Sequence, residues 1–299
     1  MRQFTFPLST KDEELLEPYK YISESPGKGI RKVLIEAFNH WLKVDEKIVQ
    51  KVADIIQGLH MSSLLIDDIE DNSKIRRGMP VAHEIYGVPQ TINCANTVYF
   101  LVMNECNNLG NAQATTIFIE EMVRLHRGQG YDILWRDTNR CPTIEEYSAM
   151  VQEKTGGLFR LGLRLLQLFS QNKTDYSGLV EDMGLFYQIR DDYINIVSDD
   201  YHLNKSFCED ITEGKFSYPI IKAIHSHPDD RRLLMILKQK TESVDIKRHA
   251  VQYIKSCGAL ESTKAHMDQL QEKIVKQIEE LGGNPYLHAI LKKLDQKQV

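Results

Sequence analysis

Apolar residues recur every three or four positions along almost the whole of this 299-residue chain. Val33, Leu34, Ala37, Phe38, Trp41 and Leu42 make one such stripe, and Val52, Ile55, Ile56, Leu59, Ser63 and Ile66 another. That spacing lays a row of side chains along one face of a 3.6-residue helix, and it suits no strand, whose faces alternate every two residues. No run of alternating strand pattern interrupts it. Thr143 and Glu146 form a T-x-x-E capping box after Pro142, and Tyr147, Met150 and Val151 begin the apolar face of the helix that follows. Pro26-Gly27 and Gly282-Gly283-Asn284-Pro285 are strong breakers.

The pattern predicts about ten helices, over 11–23, 28–43, 46–70, 89–108, 112–136, 143–171, 174–198, 215–226, 229–256 with a break near 242, and 259–297 with a break at Gly282. No composition shift, flexible linker, fixed-period repeat or low-complexity segment divides the chain. The expectation is one all-α domain over 1–299, with residues 1–10 flexible. No apolar run reaches the roughly 18–20 residues of a membrane span. Met1 to Thr10 lacks the layout of a signal peptide, and Asp12, Glu13 and Glu14 follow at once. A net charge of −5 argues against a nucleic-acid binder. Cys94, Cys106, Cys141, Cys208 and Cys257 are odd in number and scattered, which indicates neither a zinc site nor a disulfide framework and suits a reducing compartment. The cytoplasm is the expected location.

Two acidic clusters break the apolar pattern. Asp67-Asp68-Ile69-Glu70-Asp71 follows the apolar Leu64-Leu65-Ile66, and Asp67 and Asp71, four apart, share a helix face. Like charges at that spacing cost a helix roughly 0.2–0.5 kcal/mol. About 120 residues later, Gln188-Ile189-Arg190-Asp191-Asp192-Tyr193-Ile194-Asn195 repeats the design behind another apolar lead-in. Two oxygen-rich helix ends facing each other would suit a hard divalent cation. Mg2+ takes one or two carboxylates and completes its shell with water and substrate phosphate. Basic residues accompany both clusters: Arg76-Arg77-Gly78 after the first, Lys205 and Lys215 beyond the second, Lys154-Thr155-Gly156-Gly157 in an apolar helix, and Lys28 and Arg31 near the start. In a net-acidic chain this set reads as phosphate ligands, Arg binding in bidentate fashion and Lys as a point charge.

These residues resemble a known family. Leu64 to Gly78 is similar to the first aspartate-rich motif of trans-isoprenyl diphosphate synthases. Gly128-Gln129-Gly130-x-Asp132 and Lys154-Thr155-Gly156-Gly157 resemble further blocks of that family. Gln188-x-x-Asp191-Asp192-x-x-Asn195 looks like the second motif in the Asn-ended form of animal and fungal geranylgeranyl diphosphate synthases. Glu209-Asp210-x-x-Glu213-Gly214-Lys215 is similar to the block after it. The resemblance runs in order from about Leu16 to the C-terminus.

The resemblance implies an isoprenoid synthase helical bundle around a deep apolar cavity, in a homodimer or higher homo-oligomer. It implies Mg2+, about two or three ions per site with Mn2+ as a substitute, held by Asp67, Asp68, Asp71, Asp191 and Asp192, with Asn195 near by. Arg76, Lys154, Gln188, Lys205 and Lys215 would grip an allylic prenyl diphosphate, with Thr155 close to it. Lys28, Arg31, His60 and Arg77 would hold isopentenyl diphosphate. Asp67, Asp68, Asp71, Lys154, Asp191 and Lys205 form the expected catalytic set. Cations would neutralise the departing diphosphate, and an apolar cavity would shield the allylic cation until isopentenyl diphosphate captures it.

Chain length is read from the helix that carries Asp67. One turn is about 5.4 Å, close to one five-carbon unit. Four and five residues before Asp67 stand Ser63 and Ser62. Two small residues leave room where a bulky aromatic would stop growth at about fifteen carbons, so about twenty are expected. Tyr99, Phe100 and His126 are candidates for a deeper floor. Two rivals stay open. One is a terpene synthase on the same scaffold, which would ionise a single allylic diphosphate; Asp191-Asp192-x-x-Asn195-x-x-x-Asp199 loosely resembles the second metal motif of such enzymes. The other is a non-catalytic partner subunit.

Overall fold

The computed structural model describes residues 10–25, 27, 29–197 and 207–295. Lys28, Lys205 and Asp199, singled out above, lie outside the described residues, as do 1–9. The described chain is all-α but for one small hairpin, and it groups into two compact units. The first comprises residues up to Val123, Gly157–Asp175 and Asn284–Ile290; the second comprises Arg124–Gly156, Tyr176–Gly283 and the chain from Leu291.

The first unit is built from α1 (Thr10–Leu15), α2 (Glu17–Ser23), α3 (Ile30–Leu42), α4 (Glu46–Glu70), α5 (Ala82–Tyr86), α6 (Val88–Asn107) and the first part of α7 (Gln113–Thr138). The later part of α8 (Ile144–Gln167) also belongs to it. Helix α4 starts where the Asp45 side chain accepts the Lys47 N–H at 2.9 Å, a standard N-cap. Its apolar stripe, including Val52, Ile56, Leu59 and Leu65, is buried, with α3 and α6 packed on it. It ends in a Schellman motif: Asn72, left-handed at φ 52°, donates to Ile69 O at 3.2 Å, and Ser73 N–H reaches Asp68 O at 2.9 Å. The stop places Asp67, Asp68 and Asp71 together in the last turn.

The periodicity predicts no strand, yet β1 (Ile75–Arg76) and β2 (Met79–Pro80) pair antiparallel around Arg77-Gly78. Both loop residues are left-handed, at φ 55° and 79°, as a two-residue type I′ turn requires. Strands of two residues are too short to show alternation in a sequence. The expected first helix, 11–23, is two, because Pro18 sits in the first turn of α2.

The second unit contains the later part of α7, the early part of α8, α9 (Ser177–Val197), α10 (Glu209–Glu213), α11 (Tyr218–Ser226), α12 (Arg232–Lys238), α13 (Val244–Ser256) and α14 (Ala259–Glu280). The last helix, α15 (Pro285–Asp295), contributes residues to both units. In the second unit, α9 and α11 pack on α14, and these helices carry the fully buried Ile189, Ile220, Ile221, Ile274 and Ile278. The breaks expected near 242 and at Gly282 fall between α12 and α13 and between α14 and α15.

Candidate active site

Four carboxylates, Asp67, Asp68, Glu70 and Asp71, crowd the C-terminal turn and cap of α4, the negative end of a 25-residue helix dipole, and no basic residue lies in that turn. Their neutralisation comes from the hairpin. Arg76 Nε donates to Asp68 Oδ1 at 2.6 Å and Arg76 Nη2 to Asp67 Oδ2 at 3.0 Å. Asp68 is 1% exposed, while Asp67 and Asp71 remain partly open. Burial alone would lower the Arg76 pKa; the carboxylates of Asp68 and Asp67 more than reverse this and raise it above its ordinary value.

A second group of charges in the same unit is cationic. Arg31 Nη1 lies 3.0 Å from His60 Nε2, and the Arg31 guanidinium stands over the Phe159 ring at 5.6 Å. Arg77 donates to the Ser25 carbonyl and packs so tightly on Gly27 that a Cβ there would meet its guanidinium at 2.7 Å. Burial first, then the charges of Arg31, Arg77 and Arg76, push the His60 pKa well below its usual value against the pull of Asp67. A neutral histidine amid three guanidinium charges is a setting for an anion.

In the second unit, Lys154 Nζ donates to the buried Asp132 carboxylate at 2.7 Å. Gly128 makes this possible, since a Cβ there would lie 2.6 Å from Lys154 backbone N. Only hydrogen lets the two helices come so close, which accounts for the first glycine of the Gly128-Gln129-Gly130-x-Asp132 block. Burial raises the Asp132 pKa, but Lys154, Lys215 and Arg136 outweigh it and hold it below the usual range. Lys215 follows a second Schellman end: Gly214, at φ 73°, closes α10 while Lys215 N–H reaches Asp210 O at 2.8 Å. Burial would lower the Lys215 pKa, and Asp210, Asp192 and Asp132 instead hold it well above.

The two aspartates of the second motif differ. Asp191 is partly open, whereas Asp192 is 1% exposed. Asp192 Oδ2 accepts from Tyr147 OH at 2.6 Å and from Tyr218 N–H at 2.8 Å, and its Oδ1 accepts from Gln188 Nε2 at 2.8 Å. Gln188 Oε1 in turn accepts from Thr155 Oγ1 at 2.7 Å. Both Asp192 oxygens thus meet protein donors, whereas Asp191 keeps a partly open side. The same bonds occupy Gln188 and Thr155, which were expected at the diphosphate. Tyr147 carries no sequence signal beyond its place on an apolar face.

The chain-length candidates also separate. Ser62 is wholly buried and its hydroxyl bonds back to Gly58 O, while Ser63, bonded to His60 O, stays partly open on the face of Asp67. Tyr99 is part-buried; burial, then Glu70 and Asp67, raise its phenol pKa. Phe100 is 67% exposed, on the side of α6 away from its buried stripe, and His126 is exposed as well. Both therefore stand on the outward sides of their helices within the described residues.

The donor set fits Mg2+. Every candidate ligand is a hard carboxylate oxygen, with no thiolate or imidazole among them. Among the described residues no three His, Cys, Asp or Glu side chains converge into a metal cage.

An almost entirely helical fold that sets clustered carboxylates beside partly or wholly buried guanidinium and ammonium groups suits the binding of a multiply charged anion through a hard cation. The chain belongs to the polyprenyl synthetase family, whose model matches residues 12–254. It is 63% identical over 296 residues, 99% of this chain and 98% of the relative, to a geranylgeranyl pyrophosphate synthase of Dictyostelium discoideum. A terpene synthase of Matsumurasca onukii is 50% identical over 95% of this chain and 93% of its own length. A geranylgeranyl pyrophosphate synthase of Mucor circinelloides f. lusitanicus is 48% identical over 93% and 92%.

Proposed function

We propose that this chain is a prenyltransferase that condenses isopentenyl diphosphate with an allylic diphosphate, farnesyl diphosphate being the expected starter, to give geranylgeranyl diphosphate. The observation that carries the reading is the cluster of Arg31, His60 and Arg77. An enzyme that ionises a single substrate has no use for a second anion site; a condensing enzyme must have one. The terpene synthase reading is favoured by the relative from Matsumurasca onukii, and that cluster weighs against it.

Members of the family are generally Mg2+-dependent. Asp67 and Asp71 in the first unit, and Asp191 in the second, would each offer a carboxylate to Mg2+, which supplies Lewis-acid neutralisation of the leaving diphosphate. Arg76 balances the acidic turn before the ligand arrives and is placed to turn toward diphosphate oxygens. Lys154, paired with Asp132, and Lys215, whose pKa Asp210, Asp192 and Asp132 hold well above its ordinary value, offer positive charge where negative charge develops. Arg31 and Arg77 orient isopentenyl diphosphate, and the neutral His60 accepts from Arg31 at Nε2 and so does not repel that guanidinium. An apolar cavity excludes water from the allylic cation. No protein nucleophile takes part; a proton is lost at the end, with the released diphosphate as its acceptor.

The two units act as one catalytic domain, in the cytoplasm, and the working form is a homodimer or larger. Ile92 and Phe100 on α6 and Ile119 and Val123 on α7 leave apolar surface exposed for a second copy to cover. The test of the activity is incubation with each allylic diphosphate, with and without isopentenyl diphosphate. Turnover should require both substrates; a hydrocarbon released from geranyl or farnesyl diphosphate alone would shift the assignment to a terpene synthase. A chain inactive on its own would instead be the non-catalytic partner.

A further inference from the structure

The second acidic motif carries a device that the reaction itself does not use. Asp192 is a fully buried carboxylate on α9 held from three directions: by Tyr147 from α8, by the backbone N–H of Tyr218 at the start of α11, and by Gln188 one turn earlier on its own helix. Gln188 is braced by Thr155, again from α8. The Tyr147 contact, at 2.6 Å, is the shortest of these. Tyr147 is itself 1% exposed and packs edge-on against Tyr218 at 5.5 Å, and Tyr218 stacks on His266 at 5.3 Å. Burial, then the charge of Asp192, raise the phenol pKa well above its usual value, so Tyr147 stays a donor.

We propose that Tyr147 is a positioning residue for metal binding at Asp191: by tying Asp192 to α8, its hydroxyl fixes the rotation of α9 about its axis. Successive helical residues point about 100° apart. With Asp192 pinned inward, Asp191 can only present its carboxylate on the partly open face. Without the phenol, a buried carboxylate loses its closest donor, and α9 gains freedom to turn or to draw a proton or water inward. The inference rests on the reading of Asp191 as a metal ligand in a diphosphate-handling enzyme. Partners hydrogen-bonded directly to a ligand commonly change metal affinity roughly 10–100-fold when removed; Tyr147 acts one step further out, through the residue next to Asp191, so the lower end of that range is expected.

The test measures binding of Mn2+, through the resonance of the free ion, in the presence of inorganic diphosphate, alongside the Mg2+ dependence of turnover. Tyr147→Phe should weaken Mn2+ binding roughly tenfold, raise the Mg2+ needed for half-maximal rate in parallel, and leave KM for isopentenyl diphosphate unchanged. Asp192→Asn keeps an oxygen for Tyr147 and Tyr218, so its Mn2+ affinity should stay within about threefold of the parent, while Asp191→Asn loses roughly a hundredfold or more. Wild-type Mn2+ affinity in Tyr147→Phe would overturn the proposal, as would an Asp192→Asn loss equal to that of Asp191→Asn. If Tyr147→Phe fails to fold, the Asp192→Asn comparison still decides. A parent that binds Mn2+ with diphosphate but elongates nothing would sink the functional reading and leave the positioning role standing on the binding data.

Discussion

Asp68 and Arg76 make the charged contact on which the first acidic turn depends. Both are largely withdrawn from water, with side chains 1% and 14% exposed, so removing one partner strands the other. Arg76→Met should cost about 3 kcal/mol of unfolding free energy in a denaturant titration. Asp67→Ala should cost far less stability, because it removes one of four crowded negative charges from the negative end of α4, yet it should lower turnover at least about a hundredfold. His60 gives a pH signature. Its folded pKa lies below the unfolded value of about 6.5. As pH falls below about 6.5 the unfolded chain takes up a proton that the folded chain refuses, so the native state loses stability on the acid side. His60→Gln should flatten the fall in melting temperature between pH 7 and pH 5.5. The acidic residues and basic partners were readable because their chemistry is written in residue type. The division of labour between Asp191 and Asp192 was not, since a pair of adjacent aspartates reads the same whichever one is buried.

At the scale of elements, the site is made by how helices end and how closely they approach. Asn72 and Gly214, both left-handed, stop α4 and α10 with the same pair of hydrogen bonds, and each stop leaves functional side chains in or just beyond a last turn. Helix identities and most breaks follow from periodicity, proline and glycine. The hairpin that carries Arg76 and Arg77 does not, because two-residue strands have no period to detect. Tyr147 was equally silent: an aromatic on an apolar face looks like core until its hydroxyl is seen to have a buried acceptor. Gly128 illustrates a packing constraint that a motif only hints at. Gly128→Ala would set a Cβ against Lys154 backbone N, which cannot move aside as a flexible side chain could. Unfolding free energy should drop by about 1–3 kcal/mol, and turnover should fall with it as Lys154 leaves Asp132. The two serines should also part company. Ser63→Phe, on a partly open face, should shorten the product with the fold retained, whereas Ser62→Phe, wholly buried, should chiefly destabilise.

For the whole molecule, the family accounts for the fold and narrows the chemistry to a choice of what captures an allylic cation. Apolar side chains left exposed on α6 and α7 predict self-association, so light scattering should give about twice the 34.5 kDa of the chain or more, and Phe100→Asp should reduce it. The central claim is condensation, and mass analysis of the product tests it most directly. The purified chain, given farnesyl diphosphate, isopentenyl diphosphate and Mg2+, should yield a diphosphate one five-carbon unit longer than its starter, and nothing without isopentenyl diphosphate. A volatile hydrocarbon formed in the absence of isopentenyl diphosphate, with no elongated product in its presence, would contradict the account.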